Sequence, residues 1–192
     1  MLNLDRLIFV DLETTGANAA TDRITEIGLI EVCAGSVNRW SSLVNPGIPI
    51  PPFIQELTGI DDRMVRDAPP FSALHDQLLQ RLNGCLFIAH NARFDHGFLR
   101  NAFVENGTQL QCDVLCTVKL SRRLFPDERK HNLDTLITRH QLQVGDRHRA
   151  LSDADLLWQL WSKLQADIPA ELFEQAIRAQ LPHYVFAQTG NA

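Results

Sequence analysis

The chain reads as an α/β domain, a mixed sheet flanked by helices, and three observations predict it. Early segments are strand-like, with one tight turn between two of them, which predicts an antiparallel three-strand meander. Further on, "CLFIAHNA" is a short continuous apolar run between two stretches of helical periodicity, as expected of a strand buried on both sides. After it, helix and strand alternate with no repeat, low-complexity tract or Gly/Ser linker, so the 192 residues suit one domain with its own core. An architecture of this kind places ligand sites near strand ends.

Taken in order, "RLIFVDLET" predicts the first strand. "RITEIGLIEVCAGSVNRWSSLVNPG" predicts two more around a turn at Ala34-Gly35. "NPGIPIPPF" predicts a loop in which Pro49, Pro51 and Pro52 exclude regular structure. Phe71, Leu74, Leu78, Leu79 and Leu82 recur at helical spacing, with Gly84 as a stop. After the buried strand, Phe94, Phe98, Leu99, Ala102 and Phe103 share one face of a helix. A strand around Leu110–Leu115 leads into a helix from Thr117 to Leu124, and Asn132 caps a helix over "HNLDTLITRHQL". The helix "LSDADLLWQLWSKLQADI" follows with Ser152 as its cap, and "PAELFEQAIRAQLP" predicts a last helix.

Composition narrows the function. Hydrophobic residues make up 45% and charged residues 21%, ordinary for a globular protein. No apolar run approaches the roughly 18–20 residues of a membrane span. "MLNLDRLIFVDLE" lacks a basic leader and a cleavage site, so the expectation is a cytoplasmic protein with no membrane partner. Cys33, Cys85, Cys112 and Cys116 lack the second close pair of a zinc site and are expected to be reduced, buried or half-buried thiols. The net charge of −5 argues against a nucleic-acid partner. Its distribution argues otherwise, because Arg93 to Arg149 holds 10 basic and 7 acidic residues. Such clusters form either a solvated face or a rim for phosphates.

Four acidic contexts stand apart. Asp11 and Glu13 end the first strand, where residues i and i+2 share a side about 7 Å apart. Carboxylates so placed repel and need solvent, basic partners or a metal. Asp95 begins the helix after the buried strand, and Asp153 begins the "SDADLLWQLW" helix, five residues after His148. Either first-turn acid alone is explained by the helix dipole, worth about 0.3–1 kcal/mol. Together, acids without Cys or His partners suit a hard cation such as Mg²⁺ or Mn²⁺. Two such ions about 3.5–4 Å apart would relieve the repulsion and serve phosphodiester hydrolysis. A histidine beside them suits a general base, since imidazole titrates near neutrality.

"FVDLETTG", "HNARFDHGFL" and "HRALSDA" strongly resemble the three motifs of the DEDDh-type 3′–5′ exonucleases. That family includes the proofreading epsilon subunit of bacterial DNA polymerase III, ribonuclease T and oligoribonuclease. "LTGID" and "HNLDTL" resemble further family segments, and the likeness runs from Arg6 to Leu164. The resemblance implies a ribonuclease-H-like fold and hydrolysis of nucleic acid from the 3′ end to nucleoside 5′-monophosphates, and the leading reading is a metal-dependent exonuclease acting on DNA. Two divalent cations, Mg²⁺ or Mn²⁺, would be held by Asp11, Glu13, Asp95 and Asp153, and His148 would take the proton from the attacking water. The Thr14 backbone would meet the terminal 3′-hydroxyl, while Leu57, Asn91 and Phe94 would shape the terminal-nucleotide pocket. Arg93, Arg122, Arg123, Arg147 and Arg149 are the candidate rim.

The expected partner is single-stranded or 3′-frayed nucleic acid, with a DNA polymerase subunit as a further candidate. An RNA-trimming exonuclease, a silent binding or polymerase-tethering module and an endonuclease of related fold are the alternatives. The intact five-residue set disfavours the silent module, and the His148 motif disfavours the endonuclease. Cys116 departs from the acid that often precedes the threonine at Thr117. The exonuclease domain is expected over residues 1–168, with 169–192 as a C-terminal helix and tail extending it.

Overall fold

In the computed structural model, which describes residues 6–181, the chain forms a five-stranded sheet in the order β3-β2-β1-β4-β5. Strands β1 (Arg6–Thr14), β2 (Ile24–Cys33) and β3 (Ser36–Leu43) make the antiparallel meander. Strands β4 (Leu86–Ala89) and β5 (Asp113–Cys116) add in parallel on the other side of β1. The turn from β2 to β3 falls at Ala34 and Gly35, both with positive φ, as a two-residue hairpin requires.

Alternation along β1 divides the core in two. Leu7 and Phe9 join β2's Ile30 in one cluster with helices α5 (Thr117–Leu124), α6 (Leu133–His140), α7 (Ala150–Asp167) and α8 (Ala170–Arg178). Ile8, Val10 and Leu12 face the opposite cluster, with α3 (Phe71–Leu82) and α4 (Arg93–Glu105). All four residues of β4 are buried, because both faces of this parallel strand are covered. Asn132 caps α6 by accepting the Thr135 N–H at 3.0 Å.

The structure departs from the sequence reading in four places. Pro52 opens a helix, α1 (Pro52–Thr58), and α2 (Asp62–Arg66) follows. Proline at a first helical position gives up an N–H that has no intrahelical partner anyway. Gly59, at φ 70°, closes α1, and the Asp61 side chain caps α2 through the N–H groups of Arg63 and Met64. β5 begins later than expected, because the Gln111 backbone bonds Asn83 and Gly84 instead of a ladder partner. Ser152 lies inside α7, whose N-cap position is Arg149 and whose first N–H, from Ala150, goes to Glu26 on β2. Finally, Cys33 is exposed, although all four thiols are free.

A β-bulge sits where the site begins. Glu13 pairs with Glu26, yet Thr14 pairs with Ile24, so Thr25 is an extra residue on β2. Bulges kink a strand and re-aim its side chains. Here the kink falls between the last carboxylate of β1 and the Thr14-Thr15-Gly16 turn.

Candidate active site

The carboxyl end of β1 turns two acids toward α7. Asp11 and Glu13 have the same parity as Phe9, which packs edge-on against Trp161 of α7 at 6.0 Å. The first turn of α7 answers with Asp153, only 6% exposed. Asp11, Glu13 and Asp153 each offer an oxygen, and the three atoms lie within 4.8 Å of one another. Asp95, in the first turn of α4 and 3% exposed, lies outside that triad, and the Leu12 backbone N–H favours its charged form.

Burial raises the Asp11, Glu13 and Asp95 carboxyls, and like charge adds to it at Asp11 and Glu13. Burial raises the Asp11 carboxyl well above its ordinary range, and Asp95, Asp153 and Glu13 raise it further. Burial, then Asp153, Glu26 and Asp95, pushes Glu13 up to about 8. Burial also lifts Asp95 to about 7, against the backbone N–H bonds that favour its charged form. Carboxyls this reluctant to ionise mark a place where positive charge is wanted. The donors of the triad are all carboxylate oxygens, without thiol or imidazole, a set that fits a hard divalent cation.

Arg147 supplies part of the missing charge. Its Nη1 donates to the Asp153 carboxylate and its Nη2 to Asp134 of α6 at 2.9 Å. His148 follows it with φ 59°, the left-handed region, and its side chain is half-buried. On β4's side, His90 Nδ1 shares a hydrogen bond with the Thr117 hydroxyl at 2.9 Å. Burial, aided by Arg147, lowers His90 to about 4, so this imidazole is neutral at pH 7.

The expected substrate residues are distributed unevenly. Asn91, itself at φ 60°, lines a cavity of about 350 Å³ with Phe94, Phe98, Arg93 and the Ala17–Ala19 loop. Thr14 is buried, and its hydroxyl donates to the Gly16 carbonyl at 2.6 Å. Leu57 is 53% exposed on α1 and does not line that cavity. Of the candidate rim, Arg93, Arg122 and Arg123 are exposed. Arg147 and Arg149 are committed to carboxylates, Arg149 to the buried Glu26.

Asp134, His90 and Glu26 escaped the sequence reading. For Glu26 a signal existed, since "ITEIGLI" sets one acid in a strand that is otherwise apolar or small.

Comparison with known proteins shows what the chain is similar to. The exonuclease family matches residues 8–160. The 3′–5′ exonuclease DinG of Bacillus subtilis (strain 168) is 39% identical over 158 residues, which are 81% of this chain and 17% of that protein. A PolC-type DNA polymerase III of Caldanaerobacter subterraneus subsp. tengcongensis is 36% identical over 158 residues, 82% of this chain and 11% of that protein. The chain therefore spans less than a fifth of either curated relative. Among solved structures, exonuclease X in complex with 5′ overhanging duplex DNA superposes with a TM-score of 0.67 at 28% identity. That match covers 89% of this chain and 99% of the other, and it bears out the ribonuclease-H-like mixed sheet.

Proposed function

The chain belongs to the exonuclease family, and from that premise we propose that it is a metal-dependent 3′–5′ exonuclease, acting on DNA and releasing nucleoside 5′-monophosphates. The observation that carries this reading is the carboxylate group at the end of β1. Three acids from two elements converge within 4.8 Å, and a fourth is buried at the start of α4. Nothing in the core demands acids there, and the raised protonation of Asp11, Glu13 and Asp95 calls for cations.

Asp11, Glu13, Asp95 and Asp153 would hold two divalent ions, Mg²⁺ or Mn²⁺. Bound there, such ions polarise a phosphodiester, activate water and neutralise a leaving oxygen. The residues of the chain do the rest. His148, carried by the turn before α7, takes a proton from the attacking water as general base. The Thr14 backbone, at the bulge, meets the terminal 3′-hydroxyl. Asn91 and Phe94 line the cavity that would receive a terminal or adjoining base, Phe94 offering a sequence-tolerant stacking face. Leu57, exposed on α1, would reach the terminal nucleotide only from outside that cavity.

The substrate is taken as single-stranded or 3′-frayed DNA. Exposed Arg93, Arg122 and Arg123 would form a modest rim, while Arg149 is withdrawn from it by Glu26. Association with a polymerase is suggested by the PolC-type relative. We take residues 1–168 as the catalytic unit and 169–192 as its extension. Phe173, Ala176 and Ile177 of α8 lie in the same apolar cluster as α7, which supports that assignment. Tyr184 and its neighbours lie outside the described residues.

A gel time course on 5′-labelled single-stranded DNA and RNA of one sequence, with Mg²⁺, Mn²⁺ or EDTA, tests the proposal. The expected result is a metal-dependent ladder shortening from the 3′ end, faster on DNA and absent in Asp11→Ala. Faster shortening of RNA would reassign the substrate. Binding without shortening of either, under every metal condition, would make the chain a tethering module.

A further inference from the structure

We propose that Glu26 is a positioning residue for His148, acting through the two residues that follow it. Glu26 is 4% exposed and faces the active side of β2, directly across from Glu13. An acid buried beside another acid needs firm partners, and both of its oxygens have them. Arg149 reaches it through Nη2 at 2.7 Å and Nε at 3.1 Å, and the Ala150 N–H donates at 2.9 Å. The carboxylate thus ties β2 to the backbone and side chain immediately after His148.

Two further features show why the tie matters. His148 holds φ 59°, a conformation that a residue with a Cβ keeps only when its surroundings impose it. On its other side, Arg147 is pinned by Asp153 and Asp134. Gly28, two residues after Glu26 and on the same face, lets the chain come this near. A Cβ at Gly28 would lie 2.2–2.4 Å from the backbone of Ala150 and Leu151. Glu26 and Gly28 together form a dock on β2, and α7 has no side-chain cap of its own. Released from Glu26, residues 147–149 can relax to an ordinary conformation and change the direction in which the imidazole is presented.

The inference rests on the reading of His148 as general base, and a double-mutant cycle separates the two. Glu26→Gln, His148→Ala and the double variant are assayed for kcat and KM on a 5′-labelled DNA oligonucleotide. Mn²⁺ affinity is measured by calorimetry. Glu26→Gln is expected to lower kcat on the order of 10- to 100-fold, with KM within about twofold and Mn²⁺ affinity within about threefold. In the His148→Ala background the same change is expected to add almost nothing. Arg149→Gln alters only a half-exposed partner, and it should show the same pattern with a smaller loss if Glu26→Gln does not fold.

Equal fold-losses from Glu26→Gln with and without His148 would overturn the inference, leaving Glu26 a purely structural anchor. So would a fall in Mn²⁺ affinity that matches the fall in kcat. Full activity in His148→Ala would overturn the base assignment itself, whereas a large loss there with additive doubles removes the Glu26 role alone.

Discussion

On one face of β1, Ile8, Val10 and Leu12 remain inside an apolar cluster up to the strand's end. On the other, Leu7 and Phe9 begin an apolar cluster too, but Asp11 and Glu13 replace it over the last turn of the pleat. Both faces are covered by helices, so coverage is not what separates them. The apolar face needs only volumes that fit, and many side chains of similar size satisfy that. The charged face needs named partners: Asp153 from α7, the Leu12 N–H for Asp95, Arg147 for Asp153 and Glu26 for the turn. Tolerance on one side and exact chemistry on the other is the expected mark of a strand that serves both core and site.

The sharpest way to break this comparison is to remove a carboxylate. Asp11→Ala should lower kcat on the order of 1,000-fold or more while the circular-dichroism spectrum and melting temperature hold or improve. A matched loss of fold would mean that the charged face is structural after all.

Metal removal probes the same face through stability. In the cation-free protein, burial first and like charge second raise Glu13 to about 8, and burial alone raises Asp95 to about 7. The folded state then retains protons that the unfolded chain gives up near pH 4. The contribution of these groups is full below that pH and fades as pH climbs toward 8. Divalent ions bind the ionised form and reverse the trend. Mn²⁺ at about 100 times its Kd should raise the melting temperature at pH 8 by about 5–10 °C. At pH 5 the gain should be smaller, because protons compete. Calorimetric scans with Mn²⁺ or EDTA at both pH values check the sign.

Gly28→Ala sharpens the comparison from the β2 side. Its added methyl meets backbone rather than a yielding side chain, so a loss of about 1–3 kcal/mol in urea denaturation is expected. Activity per folded molecule should fall as well, since the turn bearing His148 must shift. The apolar face gives the smallest response. Ile8→Val should cost about 0.5–1.5 kcal/mol and leave kcat within about twofold.

Much of this molecule was legible in order along the chain. The β1 span, the Ala34-Gly35 turn, the buried β4 run and the Asn132 cap are local: each depends on periodicity or on one residue's own hydrogen bond. The acids were legible for a related reason. A carboxylate at the end of an apolar strand is costly in any fold, so Asp11 and Glu13 announced a site before any partner was known.

What the sequence by itself determined, then, was the mixed sheet, its helices and which acids stand at element ends. What only the tertiary structure decided was who meets whom. It placed Asp153 within reach of Asp11 and Glu13, tied Arg149 to Glu26 across β2, and made α7's first N–H a ligand of that strand instead of Ser152's. Those pairings join residues more than a hundred positions apart. Their energies depend on distance, burial and orientation, which no spacing along the chain encodes.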